Sequence, residues 1–194
     1  MSVTYRTLES ATLGTEVPFQ RPSQTLPTTV AMNDPALSVM TDLSQVSAMT
    51  ISPCASLDEA HERMVATAVR LLFVTNQFNH VIGIVTSKDL SGEKMISYLN
   101  EVGGKRADIM VRDLMTPQHR IEVMSYEDLA KARVGDLVET LKRMGRQHAL
   151  VVETDSDELE SIRGVLSATQ IGKQLGVTID TSDVAGSFAA LAAR

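Results

Sequence analysis

From Ser56 the apolar positions fall into a helical rhythm. Leu57, Ala60, His61, Met64, Val65 and Ala68 recur at i, i+3, i+4, i+7, i+8 and i+11, which is one stripe of an amphipathic helix. Ser56, with Glu59 three residues later, forms a capping box that satisfies two otherwise orphaned amides and fixes the helix start. The pattern then changes period. A continuous apolar run at 71–74 reads as a buried strand, Gln77 to Asn79 as a turn, and 81–85 as a second strand. The segment GIVTSKDL, from Gly83 to Leu90, bends that strand into another helix, so the unit is helix, strand, hairpin, strand, helix.

The same unit occurs twice. Residues 55–74 lie over 132–151 without a gap, with Val134, Leu137, Leu141 and Met144 in the places of Leu57, Ala60, Met64 and Thr67. After the turn GIVTSKDL returns as GVLSATQI, from Gly164 to Ile171, but four residues later than the first match requires. The longer hairpin contains the acids Glu153, Asp155, Asp157, Glu158 and Glu160, and a solvated hairpin loop accounts for them. A similar phrase precedes each copy, SVMTD at 38–42 and DLMTP at 113–117. The expected division is an extended arm at 1–35, a first repeat at 36–104, a second at 105–180 and a tail or short Ala-rich helix at 181–194. Pro18, Pro22, Pro27 and Pro35 make the arm extended, and Gly103 and Gly104 mark the joint between repeats.

Composition removes several function classes. Hydrophobic residues are 43% and charged residues 22% of 194, the profile of a globular chain with a core. A formal charge of −6, no Trp, three Tyr and four Phe fit neither a phosphate-neutralising nor a base-stacking surface, so no nucleic-acid partner is expected. The basic residues Lys131, Arg133, Lys142, Arg143 and Arg146 read as a solvated helix face, with an anion-attracting rim as the alternative. His61, His80, His119 and His148 are scattered, and the single Cys54 has no partner, so neither a metal site nor a disulfide is expected. Cys54 and the nine methionines after Met1 read as packing residues. No leader and no long apolar run is visible, which makes a soluble cytoplasmic protein without membrane partner the expectation.

The ordered phrases VMTD or LMTP, a capped helix, LLFV or ALVV, and GIVTSKDL or GVLSATQI resemble a tandem pair of CBS domains, a Bateman module, over about residues 35–177. The resemblance implies an α/β (α+β) fold of two β-α-β-β-α repeats about a pseudo-twofold axis, with small sheets packed together and helices outside. It also implies two clefts, adenosine-containing ligands such as AMP, ADP, ATP or S-adenosylmethionine, pairing into homodimers, and no catalytic residue. The ribose and phosphate positions of the family fall on Gly83, Thr86 and Asp89, and on Gly164, Ser167 and Gln170.

Physical chemistry gives these residues work. The Asp89 carboxylate can accept from two ribose hydroxyls, Thr86 can bond a phosphate beside the helix amides, and Lys88 adds a cation. The strand residues Ala48, Thr50 and Ile51 are expected to hold the adenine for that site. Arg70 and His148, just before the middle strands, sit where the family places phosphate-reaching basic residues; an ion pair and a structural hydrogen bond are their bland roles. Ser167, Thr169 and Gln170 form the second site, expected to be weaker because Gln lacks the charge. Thr86 with Asp89, and Ser167 with Gln170, are also capping boxes, and both roles stay open. The leading expectation is a regulatory module that binds an adenine nucleotide, requires no cofactor and signals in trans to an unidentified effector protein. The alternative is a ligand-free structural or dimerising module. No phosphate-binding loop, nucleophile elbow or ligand-spaced carboxylate cluster supports an enzyme.

Overall fold

The computed structural model describes Arg6, residues 8–18 and residues 20–181. Except for Thr181, the expected C-terminal tail and its Ala-rich helix lie outside the described residues. In chain order the strands and α-helices are β1 (Thr41–Asp42), β2 (Thr50–Ile51), α1 (Leu57–Ala66), β3 (Leu71–Thr75), β4 (Val81–Thr86), α2 (Ser87–Ser91), α3 (Glu93–Val102), α4 (Val111–Leu114), β5 (Thr116–Pro117), β6 (Val123–Ser125), α5 (Tyr126–Lys131), α6 (Val134–Met144), β7 (His148–Thr154), β8 (Glu160–Ser167) and α7 (Ala168–Leu175). Among the described residues no helix is long and apolar enough to cross a membrane.

The strands form two four-stranded sheets, β2-β3-β4-β5 and β1-β8-β7-β6. Each contains one parallel pair and a hairpin, and the registers repeat: Leu71 faces Thr86 as His148 faces Ser167, and Thr50 faces Phe73 as Val123 faces Leu150. Leu71, Phe73 and Leu150 are buried between the sheets with Ile84, Ile121 and Val165 against them. Each outer sheet face carries its own helical core. The chain is thus an α/β pair of related units, sheet to sheet, with helices outside.

The start of α1 follows the sequence pattern: Ser56 Oγ accepts from Glu59 N at 3.1 Å and Glu59 Oε2 accepts from Ser56 N at 2.7 Å. Its stripe is narrower than the spacing predicts. Leu57, Ala60 and Met64 are buried, whereas His61 and Val65 are exposed and Ala68 lies beyond the helix end. Ala68 has φ 55°, and its counterpart Gly145 has φ 62°. The left-handed turn that glycine makes freely costs an L-residue on the order of 1 kcal/mol, and the first repeat carries that cost.

The four extra residues of the second hairpin do not enlarge its loop. Asn76 Oδ1 accepts from the amides of Phe78 and His80, and Asp155 Oδ1 accepts from those of Asp157 and Leu159, in loops of the same length. The insertion lengthens the strands, which correct pairing permits and a floppy loop does not reward. It also places Glu153 on a strand, where it accepts from Arg163 Nη1 at 2.5 Å. Glu153 is therefore part of an ion-pair network and not of a solvated acidic loop.

The phrases ahead of the repeats are exchanged. β1, from SVMTD, pairs antiparallel with β8, and β5, from DLMTP, pairs antiparallel with β4. Ala36, Val39 and Met40 lie in the core of the second repeat, while Ile109, Val111 and Leu114 lie in that of the first. Each leading phrase thus precedes one repeat along the chain but packs with the other in space. The motif glycines make room for this: a Cβ at Gly83 would come within 2.7 Å of the Thr116 carbonyl oxygen and 2.9 Å of Met115 Sδ, and one at Gly164 within 3.0 Å of the Thr41 carbonyl oxygen. A clasp secures β1, as Arg163 donates to Asp42 Oδ1 at 2.9 Å and stacks 4.8 Å over the Tyr126 ring. That hydrogen bond holds the Asp42 carboxyl well below the usual carboxylate range, against the opposing effect of its burial. The arm follows the second repeat, with Val30 N donating to the Gln174 carbonyl at 3.0 Å and Gln24 bonding Met40 and Asp42.

Because the obstacle at Gly83 is backbone, Gly83→Ala is expected to cost about 2 kcal/mol through overpacking. Urea unfolding measures it; a loss below about 0.5 kcal/mol means the exchanged strand is not held this closely.

Candidate functional site

Two clefts open between the repeats, and each is walled by both. In the first, β4 ends at Thr86 and turns into α2, and Ser87 N bonds the Arg70 carbonyl at 3.0 Å to fix the bend. Opposite stand Ile121 and Glu122, on the approach to β6, and residues 145–148, the turn into β7 with its first residue. In the second, β8 turns into α7 at Ser167, held by Ala168 N on the Gln147 carbonyl at 2.9 Å. It faces residues 46–49 before β2, residues 67–70 before β3 with Leu71 at its start, and Leu26 of the arm. The volumes are about 350 and 510 Å³, within the span of small-molecule sites.

The clefts differ in chemistry. Arg70, Lys88, Lys94, Arg120 and Arg146 line the first against Asp89, Glu93 and Glu122. In a chain of formal charge −6 this is a local excess of cations suited to an anion. Arg146 is 3.9 Å from Glu122. The second cleft has Arg70 and Lys173, no acid, and a largely apolar wall that includes Val46, Ala48, Met49, Val69 and Val165.

Thr86, Lys88 and Asp89 come together as their spacing predicts. Asp89 Oδ2 accepts from Thr86 N at 2.8 Å and Thr86 Oγ1 at 2.7 Å, while Oδ1 pairs with Lys94 Nζ at 3.1 Å. The carboxylate therefore caps α2 through one oxygen and pairs with Lys94 through the other. The second box is incomplete: Gln170 N donates to Ser167 Oγ at 3.4 Å, and no bond returns from the Gln170 side chain among the described residues. Ser167, Thr169 and Gln170 line the second cleft together.

The expected adenine wall for Asp89 needs correction. Ala48 lies in the other cleft, beside Ser167 and Gln170. Thr50 is exposed, with its carbonyl accepting from Arg63, and Ile51 is buried in the helical core; neither lines a cleft. The pseudo-twofold turns each repeat's strand-to-helix bend toward the opposite repeat, so Ile121 and Glu122 take the place across from Asp89. Their equivalence to residues 48 and 49 comes from the strand registers, Thr50 on Phe73 as Val123 on Leu150; the gap-free repeat match, at an offset of 77, points instead to residues 125 and 126. Lys94 and Arg120 carry no motif that marks them in advance.

Arg70 and His148 stand between the clefts and line both. Burial holds the His148 imidazole below its ordinary value, the Arg70 charge adds to this, and Asp89 pulls the other way. A histidine lowered on folding contributes stability above its unfolded pKa of about 6.5 and loses it as the pH falls. The expected proton NMR titration of His148 moves up in Arg70→Gln and further down in Asp89→Asn. Equal curves in the two variants would mean the ring feels neither charge.

Residues 30–94 match the family model of the CBS domain. No curated protein matches the chain. Among solved structures it is similar to an uncharacterized conserved protein from Pyrococcus horikoshii, at 20% identity over 73% of this chain and 92% of that one, with a TM-score of 0.52. The CBS domain pair of protein MJ0100, in complex with 5′-methylthioadenosine and S-adenosyl-L-methionine, is 13% identical over 74% and 97%, with a TM-score of 0.50. CBSX2 in complex with AMP is 22% identical over 71% and 93%, with a TM-score of 0.49. The match of residues 30–94 to the CBS domain and the twofold arrangement of sheets agree, and the chain has the fold of a CBS pair.

Proposed function

We propose that the chain is a ligand-sensing regulatory module that holds an adenosine-containing small molecule between its repeats and passes its occupancy to a partner protein. The observation that carries this reading is the pair of twofold-related clefts, each with walls from both repeats. A ligand in such a cleft contacts both units at once, so it favours one relative orientation by its difference in affinity for the two. The complex of the MJ0100 pair with two adenosine compounds supports the ligand class.

In this reading the ribose takes Asp89 Oδ1 from Lys94, and phosphates meet Thr86, Lys88 and Arg70. Adenine fits against Ile84 and Ile121 in the first cleft and against the apolar wall beside Ala48 in the second. His148 supplies a neutral ring to both, and Ser167, Thr169 and Gln170 give the second site hydroxyl and amide contacts in place of a carboxylate. The partner is an effector protein acting in trans, and exposed Val65, Ile96 and Val102 on the outer helices support pairing with a second copy. No chemical step is required of the module.

Melting in the presence of AMP, ADP, ATP, adenosine and S-adenosylmethionine tests the reading. A ligand at a hundred times its dissociation constant adds about 2.7 kcal/mol, a rise on the order of 5–10 °C for a chain of this size. No rise with any of the five favours the ligand-free structural or dimerising module. Asp89→Ala is expected to cost about 1 kcal/mol of stability through the lost cap and to weaken nucleotide binding more than about tenfold in calorimetry. Unchanged binding would move the ribose contact elsewhere.

A further inference from the structure

Among the described residues, only Arg70 and His148 line both clefts. Arg70 is also a place where the pseudo-twofold fails, because the repeat alignment pairs it with the uncharged Gln147. A symmetric pair would place one cation at the head of each middle strand; this chain has a guanidinium at only one of these two positions, and it lines both clefts. It is exposed and has no side-chain hydrogen bond or ion pair among the described residues. The remaining charges are unequal. The first cleft keeps Lys88, Lys94, Arg120 and Arg146 without it, whereas the second keeps Lys173 alone.

We propose that Arg70 is shared, so that an anion bound beside Thr86 takes the guanidinium and weakens the second cleft toward phosphorylated ligands while leaving it open to uncharged nucleosides. This rests on the ligand-sensing reading above. A guanidinium forks onto one oxyanion at a time, with two parallel hydrogen bonds in fixed geometry, and once held it no longer offsets charge on its other side. An uncharged nucleoside held by the apolar wall does not need it. Linkage makes the effect mutual: an anion in the second cleft weakens the first by the same factor. The module then reads a combination of ligands, a phosphorylated one in the cationic cleft with a nucleoside in the apolar cleft, and disfavours two anions together.

Met49 lines the second cleft and not the first, so its methyl signal in methionine-labelled protein reports occupancy of the apolar side. AMP and adenosine are titrated with and without saturating inorganic pyrophosphate at fixed ionic strength. Pyrophosphate is expected to weaken AMP at Met49 by about tenfold, a typical coupling factor, and to change adenosine by less than about twofold. Arg70→Gln is expected to abolish the difference. Lys88→Ala combined with Arg120→Ala, which removes pyrophosphate from the first cleft, is expected to abolish it too. Equal weakening of AMP and adenosine, or an effect that survives Arg70→Gln, overturns the sharing alone. Survival in the Lys88→Ala/Arg120→Ala variant shows direct competition within the apolar cleft and also overturns it. A Met49 signal indifferent to AMP and adenosine, in a protein whose melting point no adenosine compound moves, overturns the ligand-sensing reading together with the sharing.

Discussion

The reciprocal exchange of two short strands is the contact on which the remaining architecture depends. β1 closes the sheet of the second repeat and β5 closes that of the first, each laid against a glycine whose missing side chain lets a backbone carbonyl and a methionine approach. Two-residue strands contribute few ladder hydrogen bonds. Their weight comes from what they carry: Ala36, Val39 and Met40 fill one core, and Ile109, Val111 and Leu114 fill the other. Removing either phrase uncovers a sheet edge and opens the core beneath it.

The same exchange determines what each cleft contains. β5 leads directly into Arg120, Ile121 and Glu122, so the cationic cleft acquires its far wall from the second repeat. β1 leads into Leu43 and Val46, so the apolar cleft acquires its wall from the first. The repeated unit gives the clefts their twofold geometry, and the different residues on the two approaches give them different charge. The unmatched pair Arg70 and Gln147 stands at the centre, where one side chain reaches both spaces.

Local features were legible in the sequence because their causes are local. The Ser56 and Thr86 boxes need only a three-residue spacing, and both form. Strand identity and hairpin order followed from the change in hydrophobic period, and the gap-free match of 55–74 with 132–151 appears as identical registers in the two sheets. What escaped was non-local. Which repeat faces Asp89 depends on how the pseudo-twofold turns the bends, and that placed Ala48 in the wrong cleft. The position of the four inserted residues depends on strand pairing: the turn chemistry of Asn76 and Asp155 is alike, so the insertion went into the ladder. Lys94 reaches Asp89 from the next helix, at a spacing no motif marks.

Gly103 and Gly104, both at positive φ, join α3 to the phrase that crosses over. Since each leading strand is accepted by a slot in the opposite half, the slot recognises a peptide by its Met-Thr backbone and not by which molecule it belongs to. A joint that straightens converts an intramolecular closure into an intermolecular one with the same hydrogen bonds, at a cost set mainly by concentration.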